Sequence, residues 1–222
     1  MSQSLDEWVA ANMGHRPRDP ALFTQALTHS SHAGGSYERL EFLGDRVLGL
    51  AMASWLYALF PDEPEGNLSR RLNALVAGET CAEIARELGL AQHLRLGKQA
   101  RDDGGADSSY ILGDVVEALI GALYLEAGLE AARGFIERAW GDRVHGQRAA
   151  PKHPKAQLQE LAAAKGWRPP VYTVARRSGP QHAPTFEIVV EITGKGSADG
   201  SGSSKQEAET AAAQALIERI GK

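Results

Sequence analysis

Glu38-Arg39-Leu40-Glu41-Phe42-Leu43-Gly44-Asp45-Arg46-Val47-Leu48 decides how this chain is read. At ~100° per residue its spacing predicts a helix on which Leu40, Leu43, Val47, Leu50 and Ala51 share a core-facing arc. Glu38, Glu41 and Asp45, at i, i+3 and i+7, fall within roughly 60° of one another on nearly the opposite side. Stacked like charges cost a few tenths of a kcal/mol per pair on an exposed helix, and more where water is scarce. A solvated acidic face is one reading, because charge runs usually lie at the surface; a cation site is the other. Phe42 lies off the core stripe and close to the carboxylates. An aromatic there marks a protein interface, or is an ordinary half-exposed Phe.

A second carboxylate pair sits further along. Between Tyr110 and Leu125 the charged residues are Asp114 and Glu117, set among Ile111, Leu112, Val115, Val116, Leu119, Ile120 and Leu123. Their spacing puts both on one side, and Gly121 lies on that same side, where a missing side chain lets another helix approach. A partly buried, unpaired carboxylate costs several kcal/mol unless something neutralises it. A hard divalent cation held by oxygen ligands does so, and Mg²⁺ or Mn²⁺ suits an all-oxygen site better than Zn²⁺. An ion pair with Arg70 or Arg71 is the alternative.

The 222 residues are enough for two domains. Net charge is -4 overall, but residues 1–150 carry 14 Lys/Arg against 21 Asp/Glu, whereas 151–222 carry 10 against 7. An acidic working domain followed by a basic docking domain is expected. Cys81 stands alone, so no intrachain disulfide forms; it lacks the Cys and His company of a zinc site and reads as a small helical core residue. The first ten residues carry Asp6 and Glu7 and no long apolar core, and no later run reaches ~18 apolar residues. A cytoplasmic protein with no membrane contact is expected.

Apolar residues recur at helical spacing near 5–12, 20–27, 38–58, 68–88, 108–126 and 129–143, with no convincing strand, so the first domain is expected to be all-α. Gly141, Gly146, Pro151 and Pro154 punctuate an aperiodic segment that reads as a linker. The expected boundaries are a catalytic domain over 1–144, a flexible linker over 145–153 and a second domain over 154–222. In that second domain a short helix from about Lys155 to Lys165 precedes Pro169-Pro170, which stop it. Val171 to Val174 begin a strand, and Phe186, Ile188, Val190 and Ile192 alternate with partners at period two, as in a half-buried antiparallel strand. The Gly/Ser-rich passage 194–203 offers a weak third strand. Ala208, Ala211, Ala212 and Ala215 then mark a helix able to lie close on a sheet. The order α-β-β-β-α predicts a small α+β domain.

The run Tyr37 to Leu48 resembles the signature of bacterial ribonuclease III and its surroundings. Ala26-Leu27-Thr28-His29-Ser30, Glu65-Gly66-Asn67-Leu68-Ser69 and Asp114 to Ala122 resemble further segments of that family, so the likeness spans most of residues 20–130. The resemblance implies a divalent-metal endoribonuclease acting on double-stranded RNA. It implies metal ligands at Glu41, Asp45, Asp114 and Glu117, catalytic roles for Asp45 and Glu117, and Glu38 and Glu65 lining the cleavage valley. Mg²⁺ is the implied cofactor, with Mn²⁺ able to substitute. A homodimer with Phe42 inserted into the partner is implied, each subunit cutting one strand. Products with 5′-phosphate and 3′-hydroxyl ends and short 3′ overhangs follow, with ribosomal RNA precursors and messages as substrates. A non-cleaving duplex-RNA scaffold protein is the rival reading. Tyr37, where the family often has Asn, and Arg46, where a small residue is frequent, bear on substrate preference.

Residues 153–221 resemble the double-stranded RNA-binding domain through Pro154-Lys155-Ala156-Gln157-Leu158-Gln159-Glu160, Gly179-Pro180-Gln181-His182 and Gly202-Ser203-Ser204-Lys205-Gln206-Glu207-Ala208. The resemblance assigns RNA contacts to Gln159, Glu160, Gly179, Pro180, His182, Ser204 and Lys205. Taken singly, Gln159 and Glu160 read as solvated helix and His182 as a turn residue. An A-form duplex is read by shape through its shallow minor groove and phosphates, which suits three such places on one small domain. Gln206 and Glu209 stand where Lys is common and Ala156 where Thr is frequent, so modest, salt-sensitive binding by this domain alone is expected.

Overall fold

The computed structural model describes residues 4–147, 149–179 and 184–220. It divides into two compact units, Met1–Pro151 and Lys152–Lys222. The first unit is helical: α1 (Leu5–Met13), α2 (Pro20–Ala26), α3 (Glu38–Leu59), α4 (Glu65–Leu75), α5 (Gly78–Glu87), α6 (Lys98–Asp102) and α7 (Ser109–Gly146). Ser4 and Glu7 form a reciprocal capping box that starts α1, and Asp19 caps α2 with Pro20 at its first position.

The apolar middle of α7 is the axis of the core: Leu112, Val115, Val116, Leu119, Ile120 and Leu123 are buried, with α3 and α5 packed on it. The backbone leaves helical geometry at Gly128 (φ 80, ψ 179), which separates the two expected apolar stretches inside α7. Trp8 and Trp140 are buried, and their indole N–H groups donate to the carbonyls of Leu88 and Leu75. Arg71 is also fully buried. It donates to both Glu63 carboxylate oxygens and to the Gln147 carbonyl, and lies over the Phe60 ring.

Two expectations need correction. The stretch 68–88 is two helices, because Ala77 is extended and the chain turns so that Gly78 packs against Gly113; a methyl on Gly113 would lie 2.8 Å from the Gly78 carbonyl oxygen. Leu50 is exposed, along with Phe42 and Tyr57. The buried face of α3 is centred nearer Gly44, Leu48 and Ala51, because α7 approaches on the Gly44 side and draws the core round the wheel. α7 runs to Gly146, and His153 caps α8.

The second unit has α8 (Pro154–Ala164), β1 (Val171–Ser178), β2 (Thr185–Ile192), β3 (Gly196–Gly202) and α9 (Lys205–Ile220). Its sheet is antiparallel in the order β1-β2-β3, with a register irregularity between Val174 and Arg176. Ile188, Val190 and Ile192 are buried, as period two requires, and Val190 and Ile192 pack with Leu158, Ala162, Ala212, Ala213 and Leu216. The Gly/Ser passage forms a full strand because its backbone pairs with β2 from Gly196 to Gly202. A methyl on Gly200 would lie 2.2 Å from the Ala212 amide nitrogen, so glycine on β3 and alanine on α9 together permit the close packing. Among the described residues, no helix is long and apolar enough to cross a membrane.

Candidate active site

The first unit's acidic site forms where α3 crosses α7. A methyl added to Gly44 would lie 1.7 Å from the Glu117 carbonyl oxygen, and one added to Gly121 would lie 2.3 Å from that of Leu40. The two backbones therefore touch, and the carboxylates beside the crossing, Glu41 and Asp45 from α3 and Asp114 and Glu117 from α7, share one neighbourhood. Glu41 and Asp114 line the same hollow, with Gly78, Glu79, Ser109 and Tyr110.

Burial raises Glu41, Asp114 and Glu117, and neighbouring negative charge adds to it at Glu41 and Glu117. Glu117 is pushed up to about 8, by desolvation first and then by Asp45, Asp114 and Glu41, with Arg46 acting in the opposite direction. Glu41 is raised by burial, then by Asp114, Glu38 and Asp45. Asp114 is raised by burial, offset in part by the Tyr37 hydroxyl and His29. Each shift has the sign expected of a carboxyl losing water beside like charges.

Neither arginine considered as an ion-pair partner serves this cluster. Arg71 is committed to Glu63 and Gln147, and Arg70 to Asn67. Arg46 reaches Asp45 at 2.6 Å and stacks 4.2 Å from the Phe42 ring centroid. Among the described residues, no three His, Cys, Asp or Glu side chains converge closely enough to hold an ion. The carboxylates are turned to separate partners: Asp45 to Arg46, Asp114 to Tyr37, Glu117 to the Cys81 thiol at 4.0 Å. The donor set itself, half-buried and all-oxygen with unbalanced negative charge, fits a hard divalent cation.

Glu38 is exposed at the start of α3 and accepts from the Ser36 hydroxyl at 3.1 Å; its charge reaches Glu41. Glu65 is exposed in the first turn of α4, accepts from the Ser69 hydroxyl at 2.6 Å, and is not among the charges that shift Glu41 or Glu117.

Two neighbours escaped the sequence reading as parts of the site. The Cys81 thiol is buried in α5 beneath Glu117 and is pushed up to about 12 by burial and then by Glu117, so it stays protonated and can donate. Tyr37 is buried and donates its hydroxyl to Asp114 Oδ2 at 3.2 Å. Burial, then Asp114, raises that hydroxyl far above the ordinary tyrosine range.

On the second unit, Gln159 and Glu160 are exposed on α8. Gln159 and Lys205 line one shallow depression with His153, Lys155, Ala156, Gln206 and Glu209. Ser204 accepts from the Glu207 amide at 3.1 Å and so caps α9. Lys155 is paired with Glu209, and Lys152 with Glu160. Gly179 (φ 84) follows β1 in the left-handed region that favours glycine. Pro180 and His182 lie outside the described residues.

Comparison with known proteins agrees with both units. Residues 19–142 match the family described as Ribonuclease-III-like, and residues 154–220 match the double-stranded RNA binding motif. The chain is 64% identical over 211 residues to Ribonuclease 3 of Zymomonas mobilis, covering 95% of this chain and 86% of that protein. It is 46% identical over 228 residues to Ribonuclease 3 of Azorhizobium caulinodans, covering 100% and 97%. A crystal structure of the nuclease domain of ribonuclease III from Campylobacter jejuni is similar at a TM-score of 0.60 and 35% identity, covering 64% of this chain and 97% of that one. Matched nearly end to end by these relatives, with a helical nuclease unit followed by an RNA-binding unit, the chain belongs to the ribonuclease III family and is a double-stranded-RNA endoribonuclease.

Proposed function

We propose that the chain works as a homodimer that hydrolyses both strands of an RNA duplex with the help of Mg²⁺, leaving 5′-phosphate and 3′-hydroxyl ends and short 3′ overhangs. Ribosomal RNA precursors and structured messages are the proposed substrates, and the cytoplasm the proposed location. The observation that carries this reading is the half-buried carboxylate cluster at the α3–α7 crossing, where burial and neighbouring negative charge raise Glu41 and Glu117. Glu41, Asp45, Asp114 and Glu117 are the proposed ligands, with Glu38 and Glu65 on the approach. Bound Mg²⁺ would neutralise phosphate charge and make water a usable nucleophile near neutral pH. The chain's own part is to hold four carboxylates on two helices whose backbones touch, so that their spacing is fixed before substrate arrives.

Dimerisation is supported by the exposed apolar residues Phe42, Leu50, Tyr57 and Leu125. Phe42 borders a groove lined also by Leu22, Gln25, Leu43 and Leu125, so a two-fold arrangement would let each Phe42 enter the groove of its partner. A region involved in dimer formation is described for the nuclease domain from Campylobacter jejuni.

The proposed RNA contacts are Gln159, Glu160, Gly179, Pro180, His182, Ser204 and Lys205. Residues 145–153 are the proposed connection between the two domains. Because Glu209 holds Lys155, part of the basic face is neutralised by the domain itself. Replacing Glu209 with Gln is expected to free Lys155 for a phosphate. In EDTA, full-length E209Q should bind a long duplex more tightly at low salt, with the slope of log affinity against log salt steeper by about one. An unchanged slope would show that Lys155 reaches no phosphate.

The function as a whole is tested by incubating the full chain with a long RNA duplex in Mg²⁺, in EDTA, and in EDTA followed by excess Mg²⁺. Cleavage should vanish in EDTA and return with Mg²⁺, and product 5′ ends should accept a labelled phosphate only after phosphatase treatment. Undiminished cutting in EDTA would refute the metal reading.

A further inference from the structure

Tyr37 occupies a joint between the two halves of the carboxylate cluster. It is 4% exposed and stands at the entry to α3. Its amide donates to the Thr28 carbonyl at 2.9 Å, while its own carbonyl accepts from the Leu40 and Glu41 amides at 2.8 and 2.9 Å. The backbone of Tyr37 thus sets the first turn of α3, which carries Glu41. Its ring packs 5.8 Å from the ring of His29, and its hydroxyl reaches across to α7 and donates to Asp114 Oδ2 at 3.2 Å.

We infer that Tyr37 is a positioning residue for the cation site, holding Asp114 on α7 in fixed relation to Glu41 on α3. This rests on the metal-site reading above. Backbone hydrogen bonds hold the tyrosine at one end, and a phenol confined by burial holds the carboxylate at the other. The hydrogen bond engages Oδ2, and among the described residues Oδ1 has no hydrogen-bond donor, so one oxygen is anchored while the other can serve a cation. Glu41 and Asp114 line one hollow, and Tyr37 constrains both. Groups that hydrogen-bond a ligating carboxylate fix its orientation, and their loss typically costs 10–100-fold in metal affinity or activity.

The test uses the full-length wild type, Tyr37→Phe and Asp114→Asn. Mn²⁺ binding is followed by the electron paramagnetic resonance signal of the free ion, and metal-free thermal unfolding is recorded for each protein. Tyr37→Phe keeps the ring and its packing and removes only the donor. Its Mn²⁺ dissociation constant is expected to rise about tenfold, its unfolding to remain cooperative, and the Mg²⁺ concentration giving half-maximal cleavage to rise by a similar factor while KM for the duplex stays unchanged. If Asp114→Asn weakens Mn²⁺ binding but Tyr37→Phe does not, the positioning role is overturned and the site reading stands. If Asp114→Asn binds Mn²⁺ as tightly as wild type, or wild type binds none, the site reading falls and the positioning role with it. Loss of cooperative unfolding in Tyr37→Phe would make the hydroxyl a folding element and would also overturn the inference.

Discussion

Glu117→Gln is expected to lower the rate of duplex RNA cleavage about 10³-fold while leaving RNA affinity in EDTA close to that of wild type. The substitution keeps shape and burial but removes the charge that Glu117 would place on a bound cation. Several kcal/mol of charge stabilisation is typical of a metal-assisted hydrolytic site, and about 4 kcal/mol corresponds to about 10³ in rate. RNA recognition is assigned mainly to the second unit, so binding and cutting should separate. The same variant makes a thermodynamic prediction of opposite sense. In the metal-free protein the Glu117 carboxyl is pushed up from 4.5 to about 8. Below the unfolded value it is neutral in both states and has no effect on stability. As pH rises from there toward 8, the unfolded chain ionises and the folded one resists, so wild type loses stability relative to Glu117→Gln. Above about 8 both states are ionised and the difference is constant. Thermal unfolding in EDTA at pH 5 and pH 8.5 should therefore show Glu117→Gln gaining on wild type at the higher pH. Equal midpoints at both values would show that Glu117 is not held in its neutral form, and cleavage at the wild-type rate would remove Glu117 from the site.

Spacing alone was enough to place Glu38, Glu41 and Asp45 on one stripe and Asp114 and Glu117 on another. That the stripes meet depends on a helix crossing, whose visible trace in the sequence is Gly121 on the carboxylate side; Gly44, its counterpart, carries no such mark. Leu50 shows the limit of a helical wheel. Hydrophobicity marks which side chains can be buried, while the neighbouring helix decides which ones are, and α7 approaches nearer Gly44. The break at Ala77 carries no Pro and interrupts no apolar period, so a continuous helix was the natural reading; it exists because Gly78 packs on Gly113. The third strand was faint because Gly and Ser offer little β-propensity, and it forms through backbone pairing with β2. The Tyr37–Asp114 hydrogen bond joins residues 77 apart, which no local pattern reports.

The same crossing makes Gly44→Ala the substitution expected to do most damage to the fold. The added methyl would lie 1.7 Å from the Glu117 carbonyl oxygen, 2.5 Å from its carbon and 2.9 Å from the Gly121 nitrogen. All three are backbone atoms, so no rotamer change relieves the clash. A carbon–oxygen approach is seldom closer than about 3.3 Å, which requires the helices to separate locally by roughly 1.5 Å. Overpacking a close-packed interior costs about 1–3 kcal/mol, and the upper end applies where backbone must move. The separation also carries Glu41 and Asp45 away from Asp114 and Glu117, and a misplacement of about 1 Å at a reacting centre can cost about 10²-fold in rate. Gly44→Ala should therefore unfold at a lower temperature and, at temperatures where it is still folded, cut about 10²-fold more slowly. Gly49→Ala supplies the control: it lies in the same helix, and its added methyl meets nothing within 4 Å. Alanine should stabilise the helix there by about 1 kcal/mol, with cleavage unchanged. Measured side by side, a loss at Gly44 and a gain at Gly49 would tie the damage to the crossing. Equal stability and activity in Gly44→Ala would mean that the helices do not approach as closely as the carboxylate cluster requires.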